Sequence, residues 1–587
     1  MPSLPRAFVL CAAAAAVVAF APAAAQAAAP APFGHACTPQ DGVRFCPTTD
    51  LASRVASFDG TPLDVDVTLP ATGDGPFPTL LLLHGLGQTK TAFEGTGSDP
   101  LYNNVRFAQQ GYAVVTPTAR GFGNSCGALA SRTPDCAAGW VRLDDMRYEV
   151  RDAQTLVGRL VDDGVAKPGA IGATGVSYGG GVSMMLAWLR DRIRTPDGGY
   201  AKWRSPKGTP LSLTASWPRW GWTNGESIFT RNGRGPWSRT PTGVTVQAYA
   251  GGIFSVAFSG FVAPTGGALS ADITTWKQQL DAGAVGPETT ATLDNAYRYH
   301  GVAGVSGKPA PLLMESGWTD ALFPVPQALA GYDAVLRKDP QAPIALQVGD
   351  LGHGPAANHP DDKRALDRAG QRFLDAWLKG KGAKPAPAAA TAYTMTCPKD
   401  APAGGGPYRA AAFGALARSR LAFGTSRALA IDQNGASADL AAKLNPLTSS
   451  LCTPQDPDPA SPAQLSVRSA GVTLIGLPVI TGKVTTKGNY GQLDARLWDR
   501  DPATGKQLLI TRGTYRLDTD QTGRFRFALD GNGWRFAKGH RIVVELLGRD
   551  APTYGASPEP FSASLSGVRV TLPVRELPSR RLGTTGG

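Results

Sequence analysis

The chain has 587 residues, too many for one ordinary hydrophobic core, so two or three domains are expected. Its 58 Lys and Arg outnumber its 46 Asp and Glu, for a formal charge of +12. These cations are scattered along the sequence rather than gathered into runs, which excludes a recognisable nucleic-acid module and reads as a solvated surface with loose attraction for anionic polymers.

The N-terminus has the layout of a secretory signal over residues 1–27: Arg6, an apolar run from Ala7 to about Phe20, then the small-x-small site Ala25-Gln26-Ala27. The run is short for a membrane span and no later stretch is apolar enough to be one. An exported protein, extracellular or periplasmic and without a membrane partner after signal removal, is therefore expected. Cys11 lies within the run behind bulky Leu10, a poor setting for lipid attachment.

Of seven cysteines, removal of Cys11 with the signal leaves Cys37, Cys46, Cys126, Cys136, Cys397 and Cys452. An even number in an exported chain points to disulfides, and pairing of sequence neighbours (37–46, 126–136, 397–452) is the simplest scheme. No Cys-x-x-Cys occurs and only His35 lies near a cysteine, so no metal site is expected. Residues 28–50 read as an Ala/Pro-rich leader ending in a disulfide-closed loop.

From 51 to 385 strand and helix patterns alternate, as in an α/β domain with a mostly parallel sheet. Val65–Leu69 alternates like a half-exposed strand, whereas Pro78–Leu83 and Tyr112–Val115 are continuous apolar runs, as in strands covered on both faces. Helical spacing runs from about Leu143 to Val161, with Met146, Val150, Ala153, Leu156, Val157 and Leu160 on one side. Ala170–Thr174 is a further strand, followed by Gly175-Val176-Ser177-Tyr178-Gly179-Gly180 and the helical run Val182–Leu189.

Residues 217–300 break the alternation. They are rich in Trp and Gly, then helical from about Thr274 to Tyr299, and are expected to cap the site. Trp217, Trp222, Glu226 and Trp318 are candidate substrate contacts, against the alternative that the aromatics are core and the glutamate solvated. Leu312–Met314 and Ile344–Val348 are late strands, and Ala365–Leu378 a closing helix. Lys381–Ala390 has linker composition. From 391 to 587 short strands alternate with turns, among them Asp501–Lys506 and Asp530–Gly533, which predicts an antiparallel sandwich or jelly roll.

Strand, Gly-x-Ser-x-Gly, helix is the turn that lifts a serine hydroxyl out of an α/β-hydrolase sheet. A serine hydroxyl is a weak nucleophile that needs a base, and the base needs an acid to orient it; in this fold they follow in the order Ser, acid, His. Of six histidines, His353 in Gly352-His353-Gly354 lies just past a strand and is favoured as base over His300, in the cap, and His359, in a polar loop. Asp320, past the Gly317-Trp318 turn, is favoured as acid over Glu315, still on its strand, and Asp350, too near His353. The amides of Tyr178 and Leu86 are the candidate oxyanion donors. His84, in the Leu86 loop, has no role in that order and is expected to hydrogen-bond locally.

The Gly175–Gly180, Gly317–Asp320 and Gly352–Gly354 segments resemble the Xaa-Pro dipeptidyl-peptidase and cocaine-esterase-like hydrolases. Arg120–Gly127 is similar to their Arg-Gly-rich turn, of structural role, and Leu493–Asp499 with Thr511-Arg512-Gly513 to their jelly-roll domain. The resemblance spans about residues 51 to 575 and implies an α/β-hydrolase with a helical cap, a C-terminal β-domain, no cofactor and Ser177, Asp320 and His353 as the triad. His84-Gly85 stands where several members carry Tyr-Gly, whose tyrosine hydroxyl serves the oxyanion hole. The expected activity is acyl hydrolysis of a small peptide or ester, with dipeptidyl-peptidase activity implied by the resemblance. The alternatives are a cocaine-esterase-type ester hydrolase, an acyltransferase, and a non-catalytic polymer-binding protein.

Overall fold

The computed structural model describes residues 1–4, 30–97, 99–256, 271–354, 358–398, 400–401, 405–459, 461 and 463–577. The signal segment, apart from its first four residues, lies outside the described residues, as does Cys11.

An eleven-stranded sheet forms the first layer system. Its strands are β1 (Thr38–Gln40), β2 (Val43–Cys46), β3 (Val65–Pro70), β4 (Phe77–Leu83), β5 (Ala113–Pro117), β6 (Ala166–Val176), β7 (Ala215–Arg219), β8 (Leu312–Gly317), β9 (Ile344–Gly349), β10 (Ala390–Ala392) and β11 (Tyr408–Ala410). They lie in the order β1-β2-β3-β5-β4-β6-β7-β8-β9-β10-β11. The run from β5 to β10 is parallel, and β1 to β3 and β11 add antiparallel edges.

The apolar run of β4 explains why the sheet is covered on both sides. Successive side chains of a strand point to opposite faces. Leu80 and Leu82 meet α1 (Asn104–Gln109) and α9 (Pro360–Leu378) through Val105, Phe107, Phe373 and Leu374. Leu81 and Leu83 meet α2 (Glu149–Asp162) and α3 (Tyr178–Leu189) through Val150, Leu156, Val157 and Met185.

Several boundaries differ from expectation. β1 and β2 come from the expected leader; β2 pairs with β3, so that segment completes the sheet edge. β3 is buried rather than half-exposed, because β2 and β5 flank it and Lys90 neutralises Asp66 at 2.6 Å. α2 opens at Glu149, not near 143, since Leu143 and Asp144 hold positive φ (55° and 59°), outside the helical region. Ala390–Ala392 and Tyr408–Ala410 belong to this sheet rather than to the C-terminal β-layers. Helix α9 begins at Pro360, whose missing N–H is harmless in a first turn.

Between β7 and β8 an insert carries α4 (Glu226–Phe229), α5 (Gln247–Val256), α6 (Ala271–Asp281) and α7 (Pro287–Tyr299); α8 (Val325–Lys338) follows β8. The expected single helical stretch is two helices, broken at Gly283 and Gly286, both with positive φ.

The C-terminal strands are β12 (Ser419–Thr425), β13 (Leu429–Asp432), β14 (Ala463–Arg468), β15 (Val472–Gly476), β16 (Val479–Lys487), β17 (Gln492–Arg500), β18 (Gln507–Arg516), β19 (Thr522–Ala528), β20 (Asn532–Phe536), β21 (Arg541–Leu547) and β22 (Ser562–Val574). They form two antiparallel sheets. One runs β19-β16-β22-β15-β20, with β12 and β13 also on β22; the other runs β14-β21-β17-β18. Alternating inward residues such as Phe525, Phe527, Val568, Val570, Val544 and Leu497 fill the space between them. β20 starts inside the expected 530–533 turn.

All three sequence-neighbour disulfides form: Cys37–Cys46, Cys126–Cys136 and Cys397–Cys452, the last closing 55 residues of sequence between the β10–β11 connection and the β-domain. Arg516 also crosses between the parts, donating to Thr242 O at 3.2 Å and Gly243 O at 2.9 Å in the insert.

Candidate active site

Ser177 sits between the end of β6 and the start of α3 with φ 55° and ψ −117°, a conformation sparsely used by residues with a side chain. Packing imposes it. Ser177 N–H donates to Arg219 O at 3.0 Å on β7, and Gly179 N–H to His84 O at 2.9 Å beyond β4. A Cβ on Gly179 would collide with Leu83 O, so only glycine lets the helix start this close to the neighbouring strand.

His353 lies in the loop after β9, and its Nε2 is 2.7 Å from Ser177 Oγ. Its Nδ1 lies 2.8 and 3.0 Å from the two Asp320 carboxylate oxygens. Asp320 is fully buried, whereas the His353 side chain is 20% exposed, enough to meet a substrate. Because Nδ1 faces an acceptor-only carboxylate, Nδ1 carries the proton and Nε2 is free to accept from the serine hydroxyl.

Burial opposes charge on Asp320. Attraction to His353 and hydrogen bonds from His353 and the backbone outweigh it and hold the carboxyl below its ordinary value. Leu322 and Phe323 N–H each donate to its Oδ1 at 2.9 Å. A depressed acid stabilises the fold fully above its unfolded-state pKa, about 3.9, and loses that contribution as pH falls through the folded value. The stability gap between wild type and Asp320→Asn is therefore expected to shrink as pH drops below about 4. Thermal melts across pH 2–7 measure it, and a gap independent of pH contradicts the assignment.

Gly352 has φ 105°, and a Cβ there would collide with the Asp320 carboxylate. Gly352→Ala is expected to push the histidine loop off its partner and cut kcat/KM by about 10²-fold. Wild-type kcat/KM in a folded Gly352→Ala variant would contradict that.

The competing residues have other partners. Glu315 is locked to Arg219 at 2.7 Å and accepts from Gln347 and Trp217. Asp350 accepts from Thr319. His300 Nδ1 is bonded to Leu143 O at 2.7 Å. His359 is buried, bonded to Thr396, and precedes the first turn of α9, so it is not the solvated residue expected. His84 Nε2 accepts from Ala119 N–H at 2.9 Å, which leaves Nδ1 as the donor to Gly85 O; burial drives its pKa down to about 4. Arg120 is a buried strut between Asp152 and Asp59.

The pocket at Ser177 is lined by Leu86, Leu143, Tyr178, Trp222, Phe229 and Phe323, among others. Tyr178 opens α3, where the first amides have no intrahelical partner. Leu86 lies in a turn closed by Gln88 N–H to Gly85 O at 3.1 Å.

The four candidate substrate contacts separate. Trp222 is in the pocket wall, its ring 4.6 Å from that of Phe323. Trp217 is core: fully buried on β7, packed against Gly370 and edge-on to Tyr102. Trp318 is also buried and donates to Tyr393 O at 2.7 Å, away from the serine. Glu226 is paired with Arg239 and faces a different cavity, enclosed with β18 and β19 residues.

Sequence reading missed Trp220 and Phe323, whose rings stand edge-on to His353 at 6.3 and 5.3 Å. It also missed Tyr249, on α5, in the pocket wall. Phe323 follows Asp320 by three residues, so its proximity was accessible from spacing; Tyr249 carries no such signal. The Leu447 backbone covers Gly354, so a loop of the C-terminal part lies against the histidine loop.

Comparisons with known proteins agree with this fold. A family model described as X-Pro dipeptidyl-peptidase (S15 family) matches residues 59–193, and one described as the X-Pro dipeptidyl-peptidase C-terminal non-catalytic domain matches residues 469–570. The first span contains Ser177 and ends before Asp320 and His353. Among solved structures, a CocE/NonD family hydrolase from Staphylococcus aureus is 13% identical with a TM-score of 0.59, covering 91% of this chain and 94% of that one. An aminopeptidase from the marine sediment archaeon Thaumarchaeota archaeon is 13% identical with a TM-score of 0.57, covering 92% and 98%. An α-amino acid ester hydrolase is 14% identical with a TM-score of 0.54, covering 92% and 98%. At these identities the likeness is one of fold. No curated protein matches the chain.

Proposed function

We propose that this chain, whose hydrolase and C-terminal segments are those of the X-Pro dipeptidyl-peptidase and cocaine-esterase-like family of α/β-hydrolases, is an exported serine hydrolase working through an acyl-enzyme. The observation that carries it is the 2.7 Å approach of His353 Nε2 to Ser177 Oγ with Asp320 behind the ring. His353 takes the hydroxyl proton as Oγ attacks the substrate carbonyl. The amides of Tyr178 and Leu86 receive the developing oxyanion, and His353 returns the proton to the leaving group. Water then repeats the sequence to release the acid. Three disulfides, and no helix among the described residues long and apolar enough to cross a membrane, support export.

The favoured substrate is a short peptide with a free amino terminus, cleaved in the manner of a dipeptidyl peptidase. Asp144, next in sequence to the pocket residue Leu143, is the acidic group that this reading assigns to the free amine. It is fully buried and neither carboxylate oxygen has a hydrogen-bond partner. Its Oδ2 and the Trp222 ring edge both lie against Gly181, and Tyr178 Oη accepts from its N–H at 3.0 Å. Burial, then repulsion from Glu149, raises its pKa well above the ordinary value, a state that an ammonium group would relieve. The second reading, ester hydrolysis of a small apolar acyl group, rests on the aromatic and aliphatic lining and on Leu86 in the oxyanion loop.

A substrate comparison separates them. A Xaa-Pro p-nitroanilide with a free amine should be cleaved at least tenfold faster than its N-acetylated form, and Asp144→Asn should erase that preference. Cleavage of p-nitrophenyl esters without cleavage of the anilide overturns the peptidase reading and leaves the esterase one.

A further inference from the structure

The +12 charge of the chain is scattered in sequence, but the register of the larger C-terminal sheet gathers part of it on one face. In a sheet, directly paired residues point the same way. Lys483 on β16 pairs with Arg524 on β19 and with Ser566 on β22. One step along, Thr481 pairs with Arg526 and with Arg569. Lys487 pairs with Ser562, and Arg420 on β12 pairs with Pro573 on the same outward row of β22. Lys483, Lys487, Arg524, Arg526, Arg569 and Arg420 are all exposed, while the alternate positions Val484, Phe525, Phe527, Val568 and Val570 are buried in the core.

Strands about 4.8 Å apart, with same-face residues about 6.8 Å apart along each, set these cations in rows on one broad face, with a bulge where Thr481 and Lys483 pair with Arg569 and Ser566. None of the six has a carboxylate partner among the described residues, whereas some exposed cations elsewhere do, as in Lys202–Asp191, Lys506–Asp456 and Arg535–Glu576. β12, β16, β19 and β22 contain no acidic residue; Asp432, on β13, stands at one corner. The remaining outward positions are mostly hydroxyls: Thr481, Thr485, Thr522, Ser564 and Ser566.

Like charges directly opposite in a sheet are destabilising, so Lys483 against Arg524 is a standing cost to the fold. β19 is an edge strand, and edge protection explains Arg524 and Arg526. It does not explain Lys483 or Arg569, which sit on interior strands.

We propose that this face is a docking surface for a linear anionic polysaccharide, with Lys and Arg pairing its acidic groups and Ser and Thr meeting its hydroxyls. Among the described residues no aromatic side chain projects from it to stack on bases, and the face of a sheet this many strands wide does not enter a duplex groove. No large apolar side chain projects from it to enter a bilayer. The surface holds the hydrolase on a charged matrix without touching Ser177.

The test uses the full chain and polygalacturonate, with dextran as the neutral control. Wild type should bind polygalacturonate and not dextran, with affinity falling steeply between 50 and 200 mM salt. The quadruple variant Lys483→Gln, Arg524→Gln, Arg526→Gln, Arg569→Gln should bind at least tenfold more weakly, with unchanged hydrolase activity and a Tm no lower than wild type. A variant of equal net charge, Lys167→Gln, Lys308→Gln, Arg337→Gln, Lys338→Gln, should lose less than twofold. Equal losses in both variants, a lower Tm in the first, or tighter binding to a 30-base-pair duplex DNA or to phosphatidylglycerol vesicles than to polygalacturonate would overturn the proposal.

Discussion

Ser177→Ala is expected to lower turnover by about 10⁴- to 10⁶-fold on any substrate the enzyme accepts. The effect is this large because the remaining groups, the proposed oxyanion amides of Tyr178 and Leu86 and the aromatic pocket, would bind and polarise a carbonyl but cannot form the acyl-enzyme. His353 and Asp320 stay hydrogen-bonded to each other but have no hydroxyl to deprotonate. The fold should survive. Alanine keeps the Cβ, so the strained φ of 55° is neither added nor relieved, and one hydrogen bond is lost, about 1 kcal/mol. Steady-state kinetics with a chromogenic ester and a parallel thermal melt check both halves. More than a few per cent residual turnover in a cleanly purified variant would contradict the role of Ser177.

Arg219→Met is expected to be the most damaging single change to the hydrolase fold, at about 3–5 kcal/mol. Arg219 is 1% exposed at the end of β7 and joins Glu315 on β8 to Asp367 on α9, each at 2.7 Å. Its guanidinium also stacks 4.4 Å from the Tyr102 ring and 4.8 Å from that of Trp217. Methionine fills similar volume but leaves Glu315 buried without a counter-charge and Asp367 with only that of Lys363, at 3.1 Å. Asp367, whose pKa burial already raises, would lose the larger of the two attractions that oppose that rise. Because Arg219 O also receives the Ser177 amide, activity should fall along with stability. Thermal melts of Arg219→Met and of Arg219→Met/Glu315→Gln measure the effect, the double variant recovering part of the loss. A single variant as stable as wild type would contradict the account.

The parts of this molecule that could be read from sequence are those where one physical demand dominates locally. The apolar run of β4 can only be a strand covered on both faces. Gly175-x-Ser177-x-Gly179, set between an apolar strand and a helical run, marks where a helix must start against a strand. His353 and Asp320, which the structure brings together, could be picked out because each follows an apolar strand by a few residues. What could not be read depends on distant packing. Trp217 and Trp222 are five residues apart and equally aromatic, but β7 runs between two others and buries Trp217 in the sheet, while Trp222, past the strand end, reaches the pocket. Glu226 looked available until Arg239, thirteen positions on, was brought against it. Ala390–Ala392 and Tyr408–Ala410 read as linker and β-domain because Ala-rich stretches carry little periodicity; only the open edge of β9 decides that they join the sheet. The basic face is the sharpest instance: six cations between positions 420 and 569 show no cluster until strand register aligns them.

The central claim is that Ser177, activated by His353, is the nucleophile. Labelling the folded protein with a fluorophosphonate probe, followed by peptide mapping, tests it most directly. One adduct on Ser177, absent in Ser177→Ala and formed at least a hundredfold more slowly in His353→Gln, is the predicted result. No adduct on active protein, or an adduct at another residue, would contradict it.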